Sequence, residues 1–346
     1  MEHHYAASPL VSVVIPCRNE EQSIGECLDS VSRQTVADTE ILVVDGGSTD
    51  RTRVIISDRA EQDPRIQLLD NPNGIVPSAL NIALDQAKGQ WLVRIDAHCT
   101  VGDDYVERLV NLLETGVGAA GGRKQGVGTT TTGKAIALAM SSRAGVGGSA
   151  YHHAETVQYV DHVPFGAYPV DLARQIGGWN ENLSVNQDFE FDVRIGATGR
   201  KLILDPLIVI DWENRQTFEA LFRQYRRYGR GKTRVVRIHP QSMKLRHLVA
   251  PIFVAAVFAA VLPWRWQHIA AARRLLAASY AAVVTTAGVG SGKSLPMHQR
   301  WRVIASLVVM HVAWGLGFWH GIFDLVTGRH DQAIVDTDRL RPAPET

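Results

Sequence analysis

The chain has 346 residues, enough for one large domain or two ordinary ones. Its 36 Lys and Arg against 35 Asp and Glu give a formal net charge of +1, without the basic excess expected of a nucleic-acid partner. Cys17, Cys27 and Cys99 have neither metal-site spacing nor the even count of a disulfide framework, and "MEHHYAASPL" shows no basic region followed by an apolar run; a reducing compartment and no secretory signal are expected.

"VSVVIPCRNE" carries a β-branched run, Val11 to Ile15, stopped by Pro16, and predicts a buried strand. Residues 20–34 predict a helix, with Ile24, Leu28 and Val31 at helical spacing. "EILVVDGGSTD" predicts a second strand ending in Asp45 and two glycines, with Ser48, Thr49 and Asp50 able to cap the next helix. "RIQLLDNPNG" predicts a third strand and a turn, and "VPSALNIALDQAKG" a helix closed by Gly89. "WLVRIDAHCT" predicts a fourth strand and "DDYVERLVNLLE" a helix. Strands alternating with helices predict βαβ units, hence an α/β fold with a mostly parallel, Rossmann-like sheet covered on both faces. Ligands bind beyond the carboxyl ends of such strands. Asn19, Asp45 and Asp96 each follow a strand end and are expected to converge on one crevice.

Residues 117–170 are rich in Gly, Thr and Ser and read as a mobile loop region; "GGRKQGVG" lacks P-loop spacing. "QDFEFDVRIGATG", residues 187–199, predicts a helix with Phe189 and Val193 on one side and Asp188, Glu190 and Asp192 around them. "KLILDPLIVIDW" predicts a strand pair, and "QTFEALFRQYRRYGRGKTRVVR" a basic amphipathic helix. Residues 248–326 are far more apolar than 1–245. Runs 248–263 and 275–290 are short for a spanning helix, which needs about 20 apolar residues, whereas 303–326 is long enough. Trp264, Trp266, Trp301 and Trp319 flank these runs as interfacial aromatics do, and membrane insertion is expected, with a helical subdomain buried in a soluble protein as the other reading. Arg265, Arg273 and Arg274 between the first two runs oppose a simple positive-inside topology, which leaves a re-entrant or interfacial pair open.

Over roughly residues 10–235 these motifs, in this order, resemble the family-2 glycosyltransferases, the inverting GT-A type. "VSVVIPCRNEE" resembles the family's first strand and "ILVVDGGSTDRT" its nucleotide-binding element. "VRIDAHC" stands where the family has DxD. "GGWNENLSVNQDFEFDVRI" resembles the acceptor and base segment, and "RQYRRYG" a QxxRW-type element. "PCRNEE", "NPNGIVPSALNIAL" and "RIDAHC", with the apolar tail, look most like ExoA-type members of succinoglycan assembly.

The resemblance implies an inverting transfer from a nucleotide-sugar, a UDP-sugar by preference. The implied acceptor is a polyprenyl-linked saccharide of exopolysaccharide or cell-envelope assembly, and the catalytic domain is expected to face the cytoplasm at the cell membrane. A departing diphosphate builds negative charge that a divalent cation neutralises. Asp96 is implied to contact ribose and metal-bound water. His98 stands at the metal-ligand position, or else hydrogen-bonds phosphate; imidazole suits Mn²⁺ better than Mg²⁺, so Mn²⁺ is expected to be favoured. Asp45 is implied to accept from uracil or ribose. Pro16, Arg18, Asn19 and Glu20 line the first strand end, although Glu20 could equally cap the helix after it; Arg94 pairs with Asp96 or reaches phosphate.

Asp188 is the implied general base, in a Gln187–Asp188 pair where the family has Glu-Asp, with Glu190 its rival. Trp179, Gln224, Arg227 and Tyr228 are assigned to the acceptor and diphosphate region, with anionic lipid as the other reading of the basic helix. The expected division is a GT-A domain at 1–240, a membrane-associated helical region at 241–330 and a polar tail at 331–346. Two alternatives stand: a polyprenyl-phosphate glycosyltransferase, and a non-catalytic nucleotide-sugar-binding membrane protein. The presence of Asp45, Asp96 and Asp188 speaks against the latter.

Overall fold

A computed structural model describes residues 10–261 and 267–329. The N-terminal stretch, Trp264, Arg265, Trp266 and the expected tail at 331–346 lie outside the described residues. In chain order the elements are β1 (Val11–Cys17), α1 (Ile24–Ser32), β2 (Thr39–Asp45), α2 (Thr52–Gln62), β3 (Ile66–Asp70), α3 (Val76–Gln86), β4 (Trp91–Arg94), β5 (Cys99–Val101), α4 (Tyr105–Leu113), β6 (Ala119–Val127), α5 (Thr131–Met140) and α6 (Arg143–Val146). There follow β7 (Gln158–Val160), β8 (Ala167–Pro169), α7 (Val170–Gln175), α8 (Gln187–Ala197), β9 (Leu202–Glu213), α9 (Phe218–Ile238), α10 (Val249–Val261), α11 (Gln267–Ser291) and α12 (Trp301–Val326).

The sheet runs β3-β2-β1-β4-β8-β6-β9-β5, with β7 on β9. Its first four strands are parallel, as the apolar runs require: β1 and β2 are buried at every residue. Pro16 sits beyond Val14, the last β1 residue paired with β4, so its missing N–H costs that ladder nothing. The later strands pair antiparallel.

Three expectations are corrected. The fourth strand is really two: β4 stops at Arg94, and Cys99 N donates to Asp96 O at 2.9 Å in the turn before β5. Asp96 and His98 therefore lie on a turn, and β5 leaves to pair with the far end of β9 (Cys99↔Trp212). Residues 117–170 contain β6, α5, α6, β7 and β8. Their glycines serve packing: a Cβ at Gly122 would overlap the Ile208 carbonyl, and one at Gly121 the Val163 side chain. "KLILDPLIVIDW" forms a single strand, β9, with alternate residues buried. Its start pairs with β7 and its end with β5, and Pro206 falls between the two ladders.

Helix α8 also turns differently from the expected face. It buries Gln187, Glu190, Phe191, Asp192 and Ile195, leaving Phe189 and Val193 only partly covered.

The chain forms two compact units. The first holds the sheet, with the described residues up to Lys124 and Ala154–Trp212. The second gathers Gln125–His153 and the described residues from Glu213 onward. In the second unit α9, expected to close the first domain, packs along α12. A Cβ at Gly229 would overlap the Trp314 carbonyl and one at Gly317 the Arg226 carbonyl. Arg230 pairs with the buried Asp324. Lys232 and Arg234 are buried as well, so α9 is not a simple basic face. Two segments are long and apolar enough to cross a membrane by length and composition, Ala271–Ser294 and Met297–Val326; the second apolar run is thus longer than its sequence pattern indicated.

Candidate active site

The carboxyl ends of β1 and β2 are stapled to each other. Gly46 N donates to Cys17 O at 2.8 Å, Asn19 N to Ser48 Oγ at 2.8 Å, Thr49 N to Asn19 Oδ1 at 2.8 Å and Glu20 N to Thr52 Oγ1 at 2.7 Å. Asn19 takes φ 54°, the left-handed region that asparagine tolerates. Arg18 reaches over Gly74, where φ is +65° and a Cβ would meet the guanidinium. This rim stands at the carboxyl ends of β1 and β2, where the strand order leads a ligand to be expected.

Asp45 closes the rim from beneath. Its side chain is 0% exposed and its oxygens are occupied: Oδ1 accepts from Ser48 Oγ at 2.5 Å and Oδ2 from Arg53 at 2.8 Å. Burial pushes the Asp45 carboxyl up, but Ser48 and Arg53 outweigh it and hold it below the usual range. What reaches outward is Arg53, which also pairs with the exposed Asp70 at 2.8 Å. Asp45 thus shapes the rim rather than opening onto it.

Past β4, Arg94 holds Asp96 through Nε at 2.9 Å and a second nitrogen at 3.3 Å. Burial pulls the Arg94 guanidinium down, yet Asp96 and Asp188 more than offset this and keep it charged. His98 Nε2 accepts the Trp212 indole N–H at 2.8 Å. Its Nδ1 therefore carries the proton and donates to Glu20 Oε1 at 3.1 Å. Both ring nitrogens are in use.

Two residues absent from the sequence reading complete this wall. Lys124 Nζ lies 3.6 Å from the Trp212 ring centroid and 4.8 Å from that of Phe165. The Arg94 guanidinium lies 5.5 Å from the same Phe165 ring. Phe165 takes φ 49°, a left-handed conformation that costs a bulky residue of order 1–3 kcal/mol and persists only where its surroundings fix it. Burial draws the Lys124 ammonium down to about 8.

Helix α8 supplies the third wall. Asn186, at φ 59°, turns the chain into it. Asp188 is half-buried in the first turn and accepts from Phe189 N at 2.8 Å. Glu190 is buried, and its two oxygens are held by Arg194 at 2.8 and 2.9 Å. Arg194 in turn donates to Ile176 O and Gly178 O, so Glu190 is a structural anchor. Asp192, fully buried, accepts from His162 at 2.6 Å and Val163 N at 2.9 Å. Burial pulls His162 down, but Asp192 more than offsets this and raises it. Trp179 is buried: it stacks on Phe191 at 4.2 Å, and Asn81 clamps its backbone.

Asp45, Asp96 and Asp188, with Pro16, Arg18, Asn19, Glu20, Arg94 and His98, thus all lie in the first unit. Gln224, Arg227 and Tyr228 lie on one stretch of α9 in the second, where Gln224 Nε2 donates to Tyr228 OH at 3.1 Å. The sequence reading missed Lys124, Phe165, Trp212, Arg53 and the His162–Asp192 pair. Only the adjacent aromatic and basic residue types signalled them.

Of the two expected ligand positions, Asp96 and His98, Asp96 alone fits a divalent cation. Asp96 offers carboxylate oxygen to a hard ion. His98, committed to Glu20 and Trp212, has no lone pair to give in this arrangement. Among the described residues no three His, Cys, Asp or Glu side chains gather as a ligand set.

A parallel βαβ sheet with an acidic turn after its fourth strand defines the GT-A class of glycosyltransferases. The comparisons agree. The profile described as "Glycosyl transferase family 2" matches residues 12–165, and "Glycosyl transferase family group 2" matches 91–319. The "Succinoglycan biosynthesis protein ExoA" of Rhizobium meliloti is 34% identical over 322 residues, covering 90% of this chain and 94% of that protein. The "Dolichyl N-acetyl-alpha-D-glucosaminyl phosphate 3-beta-D-2,3-diacetamido-2,3-dideoxy-beta-D-glucuronosyltransferase" of Methanococcus voltae is 25% identical over 238 residues, 66% of this chain and 74% of that one. The fold is shared with the mannosyltransferase PcManGT of Pyrobaculum calidifontis, solved with GDP-Man and Mn²⁺. The TM-score is 0.56 at 22% identity, over 89% of this chain and 88% of that one. The chain belongs to glycosyltransferase family 2 and is a glycosyltransferase similar, over nearly its whole length, to an exopolysaccharide-assembly protein.

Proposed function

We propose that the protein transfers a sugar, with inversion, from a nucleotide-sugar, preferentially a UDP-sugar, to a polyprenyl-linked saccharide at the cytoplasmic face of a membrane. The observation that carries this reading is the division of labour on α8: Asp188 is half-exposed in the first turn, whereas Glu190 and Asp192 are buried and paired. Asp188 accepts the acceptor hydroxyl proton as that oxygen bonds to the anomeric carbon. The carbon–oxygen bond to the diphosphate breaks, and its electron pair leaves on the diphosphate oxygen. Arg94 holds Asp96 in place on the turn. A bound divalent cation, held by Asp96, would neutralise the leaving group's charge. Without a nitrogen ligand the expected preference for Mn²⁺ over Mg²⁺ loses its basis, and oxygen ligands serve either ion.

Membrane association rests on α10 and α11, whose apolar side chains Ile252, Phe258, Leu275 and Val283 stand exposed. A lipid-linked acceptor fits that placement. The relative from Methanococcus voltae is named for action on a dolichyl phosphate-linked sugar, which supports an acceptor of this kind.

The test is nucleoside diphosphate release from a panel of UDP- and GDP-sugars, with membranes carrying wild type or Asp188→Asn and an extract of polyprenyl-linked saccharides. Acceptor-dependent release that falls by about 10²–10⁴-fold in the variant is expected. Equal release by the variant would remove Asp188 as the base.

A further inference from the structure

Lys124 is a cation without an anion. It stands on β6 beside the turn that carries Asp96, between the rings of Trp212 and Phe165. Among the described residues no carboxylate lies within ion-pair distance of its ammonium, and its three N–H groups donate to nothing. Partly buried charges are normally paired. Aromatic faces stabilise a desolvated cation but leave its hydrogen-bonding capacity unused. Asp96 is already held by Arg94, and Asp96 and Asp188 bear on Lys124 only through their field. The strained Phe165 backbone holds one ring against both Arg94 and Lys124, and of these two cations only Arg94 is paired with an acid. An ammonium held in an aromatic box with its N–H groups unused calls for an anion from outside the chain.

We infer that Lys124 binds a phosphate oxygen of the donor's diphosphate and carries part of the charge of the leaving nucleoside diphosphate. This rests on the nucleotide-sugar reading above. Lys124 keeps its three protons throughout: the acceptor's proton goes to Asp188, and the electron pair of the broken bond stays on the diphosphate. The residue supplies from the chain positive charge of the kind that a divalent cation would also bring to the diphosphate, and it explains why a basic residue occupies an aromatic box.

Only the protonated amine binds an anion. Because burial draws the free amine down to about 8, nucleotide affinity should be level below that pH and fall above it. The experiment is a calorimetric titration of full-length, detergent-solubilised protein with UDP, GDP and the corresponding nucleosides, from pH 6.5 to 9, with Mn²⁺ and with a chelator. Wild type should bind one of the diphosphates and lose affinity by up to tenfold per pH unit above about 8. Lys124→Met should weaken that diphosphate by about 10- to 100-fold and leave its nucleoside unchanged. Lys124→Arg should bind it with no loss up to pH 9, since guanidinium stays charged. Equal diphosphate affinity in wild type and Lys124→Met overturns the role of Lys124 alone. A Lys124→Met variant altered only in its KM for a phosphorylated lipid acceptor overturns it in favour of the acceptor. Failure of wild type to bind either diphosphate overturns the nucleotide-sugar reading along with it.

Discussion

At the scale of single residues, His98 shows how a position can keep its place and change its work. The turn after β4 carries it where an acidic ligand was expected, but its two nitrogens bridge Glu20 on one strand end to Trp212 on another. Trp212 is also the floor under Lys124. His98 is therefore a strut for the cationic wall. A glutamine can imitate its neutral form, donating through one terminal atom and accepting through the other. His98→Gln should keep activity within about tenfold and need the same concentration of Mn²⁺ or Mg²⁺, whereas His98→Ala, which orphans the indole N–H and the Glu20 carboxylate, should cost about 1–3 kcal/mol of stability. Asp96→Asn should raise the cation requirement. Activity measured against metal concentration decides it: a hundredfold rise in the requirement for His98→Gln would make the imidazole a ligand after all. The spacing of Asp96 and His98 was legible because two residues of one turn suffice. Lys124, Phe165 and Trp212 were not, because antiparallel strands bring them together from positions 28 to 116 residues distant from Asp96, and no local period encodes such pairing.

Among the elements, the first half of the sheet was readable because parallel buried strands are uniform apolar runs bounded by turn residues. The second half was not. β6 is glycine-rich because its neighbours come too close for side chains, and composition alone made that look like a loop. Close approach also decides the second unit. Gly229 on α9 and Gly317 on α12 each face the other helix's backbone, whereas Gly290 on α11 has nothing within 4 Å of where a Cβ would stand. Gly317→Ala should therefore destabilise the protein by about 1–3 kcal/mol through forced separation of the helices. Gly290→Ala should be neutral, or stabilising by up to about 1 kcal/mol, because alanine loses less chain entropy in a helix. Thermal unfolding of the two purified variants in one detergent tests both. A Gly317→Ala protein melting with wild type would mean that the contact yields without cost.

For the whole molecule, hydropathy and packing disagree about α12. By length and composition it is fit to cross a bilayer. Yet it is lined from Trp301 to Asp324 by α9: Phe218 lies 6.3 Å from the Trp301 ring, Arg226 donates to His320 at 3.0 Å, and Arg230 pairs with Asp324. Helix α9 carries Arg223, Arg226, Arg227, Arg230, Lys232, Arg234 and Arg237. Moving each into hydrocarbon costs about 2.5–3.5 kcal/mol, and α12 cannot enter without the helix it is packed upon. Lys293, Arg300 and Arg302 at its start point the same way, since crossing would set either that cluster or α9 against the positive-inside tendency. We expect α12 to lie along the membrane surface with both ends on one side, while α10 and α11 present the exposed apolar faces that hold lipid. The three native cysteines are buried, so single cysteines added in the full-length chain report sidedness cleanly. Ser294→Cys and Thr327→Cys flank α12 on exposed backbone. In sealed vesicles a membrane-impermeant maleimide should label both from the same face. Labelling from opposite faces would show that α12 crosses, and would require that α9 leave its side when the protein meets the membrane.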